Sequence, residues 1–180
     1  MQELEFLGQW ITTRGVAPMK GKLNPVREWE TPTNVKDIRS YLEFANYYHW
    51  FIPGYGSIAA PLTMLMKKDV LWHWGPLQRR AFEGLKSALC AAPLLIYPDP
   101  SLPYTVVSDA CGDAARGVLM QDQGEGLRPV AFMSRAFKPT KQGTRYMGGS
   151  WLQSHTALFN GTTTWKGVLG VSRWRQIINH

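Results

Sequence analysis

No acidic residue follows Glu125 in this sequence of 180 residues. All 13 Asp and Glu lie at or before that position, so the first 125 residues carry a net charge of −1 and residues 126–180 carry +8. An acid-free segment supplies no carboxylate for metal binding or for acid and base catalysis. Its Lys and Arg residues are scattered along the segment, so they are only weak evidence for a nucleic-acid-binding arm. The alternative is that the charge reflects chance composition.

Cysteine and long apolar runs are also scarce. Cys90 and Cys111 are the only cysteines, which excludes a disulfide framework and indicates a reducing compartment. No stretch approaches the roughly 20 apolar residues that cross a bilayer. The first residues include Glu3 and Glu5 and lack the basic start of a signal peptide. We therefore expect an intracellular protein that is not secreted and has no membrane partner.

Three helices are predicted from apolar residues that recur every three or four positions. The first covers residues 34–50, with Asn34 as its N-cap. The second covers residues 58–67, with Pro61 in its first turn, where proline is tolerated. The third covers Pro76–Cys90. Its predicted inward face consists of Leu77, Ala81, Phe82, Leu85 and Leu89.

The segment before these helices predicts strands and a loop. Residues 4–13 mix apolar residues with Thr and are followed by Arg14 and Gly15, which indicates a strand and turn with a return strand from Val16. Residues 18–33 contain two further prolines and are predicted as a loop.

A second group of strands is predicted after the helices. Residues 104–107 are β-branched or aromatic, residues 108–116 are turn-rich and residues 117–121 are apolar, which indicates two antiparallel strands joined by a loop. Residues 128–134 predict a third strand. Asp109 then lies where the first strand ends. A carboxylate there suits a divalent metal, whereas the alternative is that Asp109 only caps the turn.

Many short motifs, in this order and spacing, resemble one family of proteins. The resemblance covers roughly residues 4–140 and is to the reverse transcriptase to RNase H junction of gypsy-like LTR retrotransposon polyproteins. The motifs are Phe6-Leu7-Gly8, Pro32-Thr33-Asn34, Tyr41-Leu42, Ala45-Asn46-Tyr47-Tyr48, Ile58-Ala59-Ala60-Pro61-Leu62-Thr63, Trp74, Ala81-Phe82, Ala92-Pro93, Pro98-Asp99, Ser108-Asp109-Ala110, Gly117-Val118-Leu119, Pro129-Val130-Ala131 and Ser134-Arg135.

The resemblance implies an α+β fold. A small helical, thumb-like segment would be followed by an incomplete RNase H-like mixed sheet with a helix before it. Residues 1–33 would be a palm-end hairpin remnant and linker, residues 34–75 the thumb-like segment, and residues 76–140 the connection and a truncated RNase H-like domain. Residues 141–180 lie outside the resemblance.

The resemblance also implies a role for Asp109. It matches the first catalytic carboxylate of the family, which in complete enzymes joins a Glu on the next helix and further acids to hold two magnesium ions. Such a metal pair polarises the phosphodiester and activates water. Asp109 is therefore interpreted as an ancestral magnesium ligand and catalytic residue.

Departures from the family pattern indicate that catalysis is lost. The polymerase's paired aspartates are absent, and no acid stands where the next helix would carry its Glu. Glu43 occupies a position that is usually Gly, and Cys111 one that is usually Ser. Asp113 and Asp122 are the nearby carboxylates, and both read as turn residues. Since one aspartate is a poor magnesium site, we expect no bound cofactor in this chain.

The last 40 residues are interpreted as a frameshifted, poorly ordered tail. Asn160-Gly161 suits a type I′ hairpin, but an isolated hairpin is marginal in water. Reading the codons from Gly149 onward two bases later permits Glu-Leu-Ala-Ala-Ile, which is close to the missing family helix. We therefore hypothesise a frameshift between about Thr140 and Tyr146.

Three functions remain open from the sequence. The first, which we favour, is a non-catalytic fragment of a retrotransposon polyprotein that contacts RNA–DNA hybrid or duplex through the nucleic-acid backbone. The second is an active magnesium-dependent RNase H-type endonuclease. The third is a protein-interaction module that assembles with other polyprotein fragments.

Overall fold

The computed structural model describes residues 3–111, 114–136 and 161–165, and it confirms the α+β class. Two antiparallel sheets enclose a set of helices. In chain order the elements are β1 Leu4–Phe6, β2 Gln9–Thr12, β3 Gly15–Pro18, α1 Lys20–Arg27, α2 Val35–Tyr47, α3 Tyr55–Leu65, α4 Pro76–Cys90, β4 Leu95–Ile96, β5 Tyr104–Cys111, β6 Ala114–Asp122, β7 Leu127–Ala136 and β8 Gly161–Trp165, with a short 3-10 turn at His49–Phe51 between α2 and α3.

The strand order differs between the two sheets. The first sheet is β1-β2-β3-β4, and the second is β7-β6-β5-β8. Every strand pair among the described residues is antiparallel, whereas the sequence predicted a mixed second sheet. In the described ranges, no helix is long and apolar enough to cross a membrane.

The N-terminus of α2 is where the sequence predicts it. The Asn34 side chain accepts a hydrogen bond from the Asp37 backbone N–H at 3.0 Å. The Asp37 carboxylate in turn accepts from the N–H and hydroxyl of Thr33, at 2.9 and 2.8 Å. These hydrogen bonds favour the ionised form and hold the pKa of Asp37 below its usual value. The helix ends at Tyr47, three residues earlier than predicted, where the chain turns into the 3-10 segment.

The loop predicted before α2 is wrong, because its middle is a helix. Helix α1 contains Pro25 in its interior and has no side-chain cap. Leu23 and Val26 are buried against the helical core, and Lys86 donates hydrogen bonds to the carbonyls of Arg27 and Trp29, at 3.4 and 2.7 Å. Tertiary packing therefore overrides the local cost of proline.

Helix α3 also begins earlier than predicted. It starts at Tyr55 rather than Ile58, so Pro61 lies at its seventh residue and not in its first turn. Leu62 and Leu65 are buried, as the predicted apolar face requires. The prediction of Pro61 in the first turn was wrong because the start signal is Gly54, a left-handed residue that local apolar periodicity does not reveal.

Helix α4 has the predicted bounds, Pro76–Cys90. Four of its five predicted inward residues are buried, but Leu77 is 65% exposed and lies outside the core. The buried face meets α1 and α3 and carries Phe82 into contact with Tyr41, with ring centroids 4.6 Å apart. This face is the centre of the larger apolar core, which is rich in aromatic side chains.

After β7 the strand pairing in the structure also differs from the prediction. Thr162–Trp165 was predicted as the second strand of an isolated hairpin in a poorly ordered tail; Gly161–Trp165 is indeed a strand, β8, but it pairs with Tyr104–Ser108 of β5. The predicted first strand of the Asn160-Gly161 hairpin lies outside the described residues, as does the proposed frameshift position.

Candidate metal site and nucleic-acid surface

Asp109 lies within a strand rather than at its end. Strand β5 continues to Cys111 and β6 starts at Ala114, so the turn-rich loop predicted for residues 108–116 is mostly strand. The backbone register pairs Asp109 with Arg116. Because Asp109 is part of the ladder, a turn-capping role does not account for its position, which corrects that alternative.

Asp109 belongs to a row of three residues that crosses the second sheet. Arg116 of β6 pairs with Asp109 on one side and with Ser134 of β7 on the other. Directly opposed residues of antiparallel strands lie on one face of the sheet. The backbone register therefore places Asp109, Arg116 and Ser134 in one row across three neighbouring strands.

The start of α3 docks on this row. The Ser134 hydroxyl accepts a hydrogen bond from the Gly56 N–H at 2.9 Å. Gly54, at a φ of +68°, lies against the Arg116 side chain, and a Cβ there would be only 2.9 Å from Arg116 Cδ. The helical layer is thus fixed to the sheet beside Asp109, and a side chain at Gly54 would disturb that junction.

The remaining carboxylates do not complete a metal site. Asp122 accepts hydrogen bonds from the N–H groups of Gly124 and Gly126, at 2.8 and 3.0 Å, which is the predicted turn role. Asp113 lies outside the described residues. Across the described part of the chain, no three His, Cys, Asp or Glu side chains come together in a group that could hold a metal ion. Among the described residues, the carboxylates thus do not form the donor set that a pair of magnesium ions needs.

A second candidate site surrounds the tip of the β1–β2 hairpin. Leu7 and Gly8 form this tip, both with positive φ, at 50° and 74°. The Tyr47 hydroxyl donates a hydrogen bond to the Leu7 carbonyl, and the Tyr48 hydroxyl donates to the Gly8 carbonyl at 3.2 Å. Burial raises the pKa of Tyr48, so its hydroxyl stays protonated to a higher pH than that of an exposed tyrosine. A Cβ at Gly8 would be 2.8 Å from this hydroxyl, so the tip requires glycine.

One basic residue lies beside the hairpin tip, and another lies on the stripe of α2 that carries Tyr47. Lys22 of α1 is exposed, and its Cγ lies 3.8 Å from the position of a Cβ at Gly8. Arg39 and Glu43 are exposed on α2 and share a stripe with Tyr47, because the three residues are four positions apart. Tyr47 is 43% exposed and Leu7 69%. We call Leu7, Lys22, Arg39, Glu43 and Tyr47 the hairpin-tip surface.

Sequence reasoning missed this surface. Lys22 was assigned to a loop, and the two tyrosines were noted only as part of a motif. The available signal was the helical spacing of Arg39, Glu43 and Tyr47, but the contact of the hairpin with α2 spans 40 residues of sequence. An exposed surface that combines bases with an aromatic ring is typical of a nucleic-acid contact.

Comparison with known proteins shows which family and which polyproteins this chain is similar to. Residues 74–148, which include α4, the strands β4 to β7 and Asp109, match the family described as the RNase H-like domain found in reverse transcriptase. The chain corresponds to a short segment of retroviral and retrotransposon Pol polyproteins. This segment is 37% identical over 135 residues to the Pol polyprotein of feline endogenous virus ECE1 and 35% identical over 137 residues to that of transposon 412 of Drosophila melanogaster.

A fission-yeast polyprotein and two solved structures show the same similarity. The segment is 34% identical over 133 residues to the transposon Tf2-3 polyprotein of Schizosaccharomyces pombe. It matches the foamy viral protease-reverse transcriptase in complex with RNA/DNA hybrid at 25% identity and a TM-score of 0.66, over 87% of this chain and 21% of that one. The same protein in complex with dsDNA matches at 24% identity and a TM-score of 0.67, over 88% and 33% of the two chains, which supports the fold.

The segment is small compared with its relatives. It spans 12%, 11% and 10% of the feline, Drosophila and fission-yeast polyproteins, while the alignments cover 75%, 76% and 73% of this chain. The predicted retrotransposon polyprotein fragment with an RNase H-like domain is confirmed. Domains of this family usually use magnesium.

Proposed function

We propose that this segment binds RNA–DNA hybrid or duplex through the nucleic-acid backbone and does not cleave it. The observation that carries the proposal is the hairpin-tip surface. There, Lys22 lies beside a hairpin tip that Tyr47 holds in place, and Arg39 lies two turns before Tyr47 on the same stripe of α2, about 12 Å along the helix. Lys and Arg side chains neutralise phosphates whatever the nucleotide sequence. An exposed tyrosine ring supplies a stacking or sugar contact.

The structural relatives support this choice of ligand. The foamy viral protease-reverse transcriptase, to which the segment is similar over most of its length, was solved in complex with RNA/DNA hybrid and with dsDNA. Both ligands present two phosphate backbones. Binding by this segment is therefore expected to depend on charge and duplex shape.

The lack of cleavage follows from the carboxylates. Asp109 is proposed as an ancestral magnesium ligand, since it lies in the range that matches the RNase H-like family. Residues 126–180 contain no Asp or Glu to join it. Two divalent cations against a phosphate need several negative oxygens, so we propose that this chain holds no catalytic magnesium.

The parent element and the reading frame are further proposals. The order of the motifs favours a gypsy-like LTR retrotransposon, and the lack of acidic residues after Glu125 favours a change of reading frame between about Thr140 and Tyr146. The genomic DNA around codons 135 to 180 tests both. Early stop codons in the shifted frame, or a shifted frame without the Glu-Leu-Ala-Ala-Ile pattern, would contradict the frameshift.

An interaction module is the second candidate function. Strand β1 is the edge of the first sheet, and its Leu4 and Phe6 are exposed together with Leu7 of the hairpin tip. An exposed apolar edge strand is a ready site for pairing with another chain. Gel filtration separates the two functions, because a self-associating module elutes ahead of a monomer and a backbone-binding segment does not.

Binding is expected to be weak and strongly dependent on salt. Titrating the protein into a labelled 18-base-pair hybrid should give a Kd in the micromolar range or weaker, and the affinity should fall about 10- to 40-fold between 50 and 200 mM KCl for two or three phosphate contacts. Arg39→Gln should weaken binding and lower the salt slope by about one. Fluorescence anisotropy measures both quantities.

Arg79→Gln is the matched control for this experiment. Arg79 is exposed on α4, so its substitution changes the net charge equally without touching the hairpin-tip surface. Its affinity should stay within about twofold of the unsubstituted chain. Binding that is insensitive to salt and selective for sequence, or equal losses in the two variants, would overturn the proposed surface.

A further inference from the structure

Glu43 is the one acid within the hairpin-tip surface. It is exposed on α2, four residues after Arg39 and four residues before Tyr47, and so lies between them on one stripe of the helix. In the part of the chain that the structure describes, Glu43 forms no salt bridge. Its negative charge is therefore not cancelled where the proposed ligand would approach.

We propose that Glu43 limits the affinity of this surface for nucleic acid, an inference that rests on the proposed function. We take about 6 Å, the distance between the Cβ atoms of residues four apart on a helix, as the order of magnitude of the separation between the Glu43 carboxylate and a phosphate at Arg39. At that distance, repulsion between the two charges weakens binding roughly threefold at the dielectric constant of water. The effect increases to about tenfold where the ligand displaces water.

A structural role does not account for Glu43. The order Arg39 then Glu43 is the less favourable one for an ion pair on a helix. Glu43 also lies beyond the first turn of α2, so it gains no stabilisation from the positive end of the helix dipole. Neutralising this residue is thus expected to leave the fold intact, and any change in affinity reports the charge itself.

Glu83 provides a matched control. It is exposed on α4, four residues after Arg79, and so repeats the spacing of Arg39 and Glu43 on another helix. The preceding residue, Phe82, contacts Tyr41 of α2, since its carbonyl accepts a hydrogen bond from the Tyr41 hydroxyl at 3.2 Å. Tyr41 precedes Glu43 by two residues, which places them about 200° apart around α2. Glu83 therefore lies on the opposite side of α2 from the hairpin-tip surface.

The test compares Glu43→Gln with Glu83→Gln, which raise the net charge by the same amount. At 50 mM KCl, Glu43→Gln should bind the 18-base-pair hybrid about three- to tenfold more tightly than the unsubstituted chain, and Glu83→Gln within about twofold of it. Urea unfolding of both variants confirms that they are folded. The gain in Glu43→Gln should also shrink as the KCl concentration rises.

The outcomes separate this inference from the proposed function. If Arg39→Gln weakens binding while Glu43→Gln and Glu83→Gln behave alike, the role of Glu43 is wrong and the surface stands. If Arg39→Gln and Glu43→Gln both leave the affinity unchanged, the proposed surface fails along with the inference. A gain confined to Glu43→Gln supports both.

Discussion

Phe82→Ala is expected to lower the free energy of unfolding by about 3–5 kcal/mol. Phe82 is 1% exposed and lies at the centre of the helical core. Its ring is 4.6 Å from that of Tyr41 and 6.0 Å from that of Trp74, and the Lys86 ammonium is 4.7 Å from its centroid. The substitution removes these contacts and leaves a cavity that close-packed neighbours fill only in part.

Leu77→Ala is the control on the same helix. The sequence pattern assigns both residues to the inward face of α4, but Leu77 is largely exposed. Its truncation is expected to change the free energy of unfolding by less than about 0.5 kcal/mol. Urea unfolding of the two variants measures the difference. Equal losses in both would show that the sequence assignment is right and the described core is wrong.

Gln121→Leu is expected to cost about 2–4 kcal/mol of unfolding free energy. Gln121 is fully buried, and its amide joins β6 to the loop before β5. The side-chain oxygen accepts from the Asp99 N–H at 2.8 Å, and the side-chain nitrogen donates to the carbonyls of Asp99 and Leu102 at 2.8 and 3.1 Å. Leucine has a similar volume but leaves these three backbone groups without their partner.

Gln123→Leu is the matched control for this prediction. Gln123 donates to the Tyr97 carbonyl at 2.7 Å and to the Gln121 side-chain oxygen at 3.0 Å from an exposed position, where water replaces the lost hydrogen bonds, and its removal leaves the backbone partners of Gln121 in place. Its unfolding free energy should fall by less than about 1 kcal/mol. If Gln121→Leu proves as mild as Gln123→Leu, the amide of Gln121 does not hold the loop.

The elements that could be predicted from the sequence have local causes. Asn34 and Asp37 set the start of α2 because their hydrogen bonds reach only three or four residues along the chain. The bounds of α4 follow from Pro76 at its start and from apolar residues at helical spacing. Strand β7 follows from a run of apolar residues between turns.

The elements that could not be predicted depend on contacts distant in sequence. Strand β4 consists of Leu95 and Ile96, and it exists because these residues pair with Val16 and Gly15 of β3. Helix α1 forms despite Pro25 because it packs on α4. No local pattern encodes such partners, so both segments read as loop.

For the candidate sites too, local features could be predicted from the sequence and contacts between distant residues could not. The sequence resemblance selected Asp109, but the loop drawn after it was wrong because Ser108, Ala110 and Cys111 gain their strand conformation from pairing with β6. The hairpin-tip surface combines three elements, and its sequence signal was limited to the spacing of residues on α2. The lack of acidic residues in the tail, in contrast, is visible in the sequence itself, because amino-acid composition does not depend on the fold.

The most direct test of the central claim is to incubate the hybrid with the protein and magnesium under conditions of binding. A native gel follows the complex, and a denaturing gel follows the length of the RNA strand. We predict that the hybrid is bound and that its RNA strand stays intact, with the same result for Asp109→Asn. Shortened RNA that appears above background with the unsubstituted chain and disappears with Asp109→Asn would contradict this account.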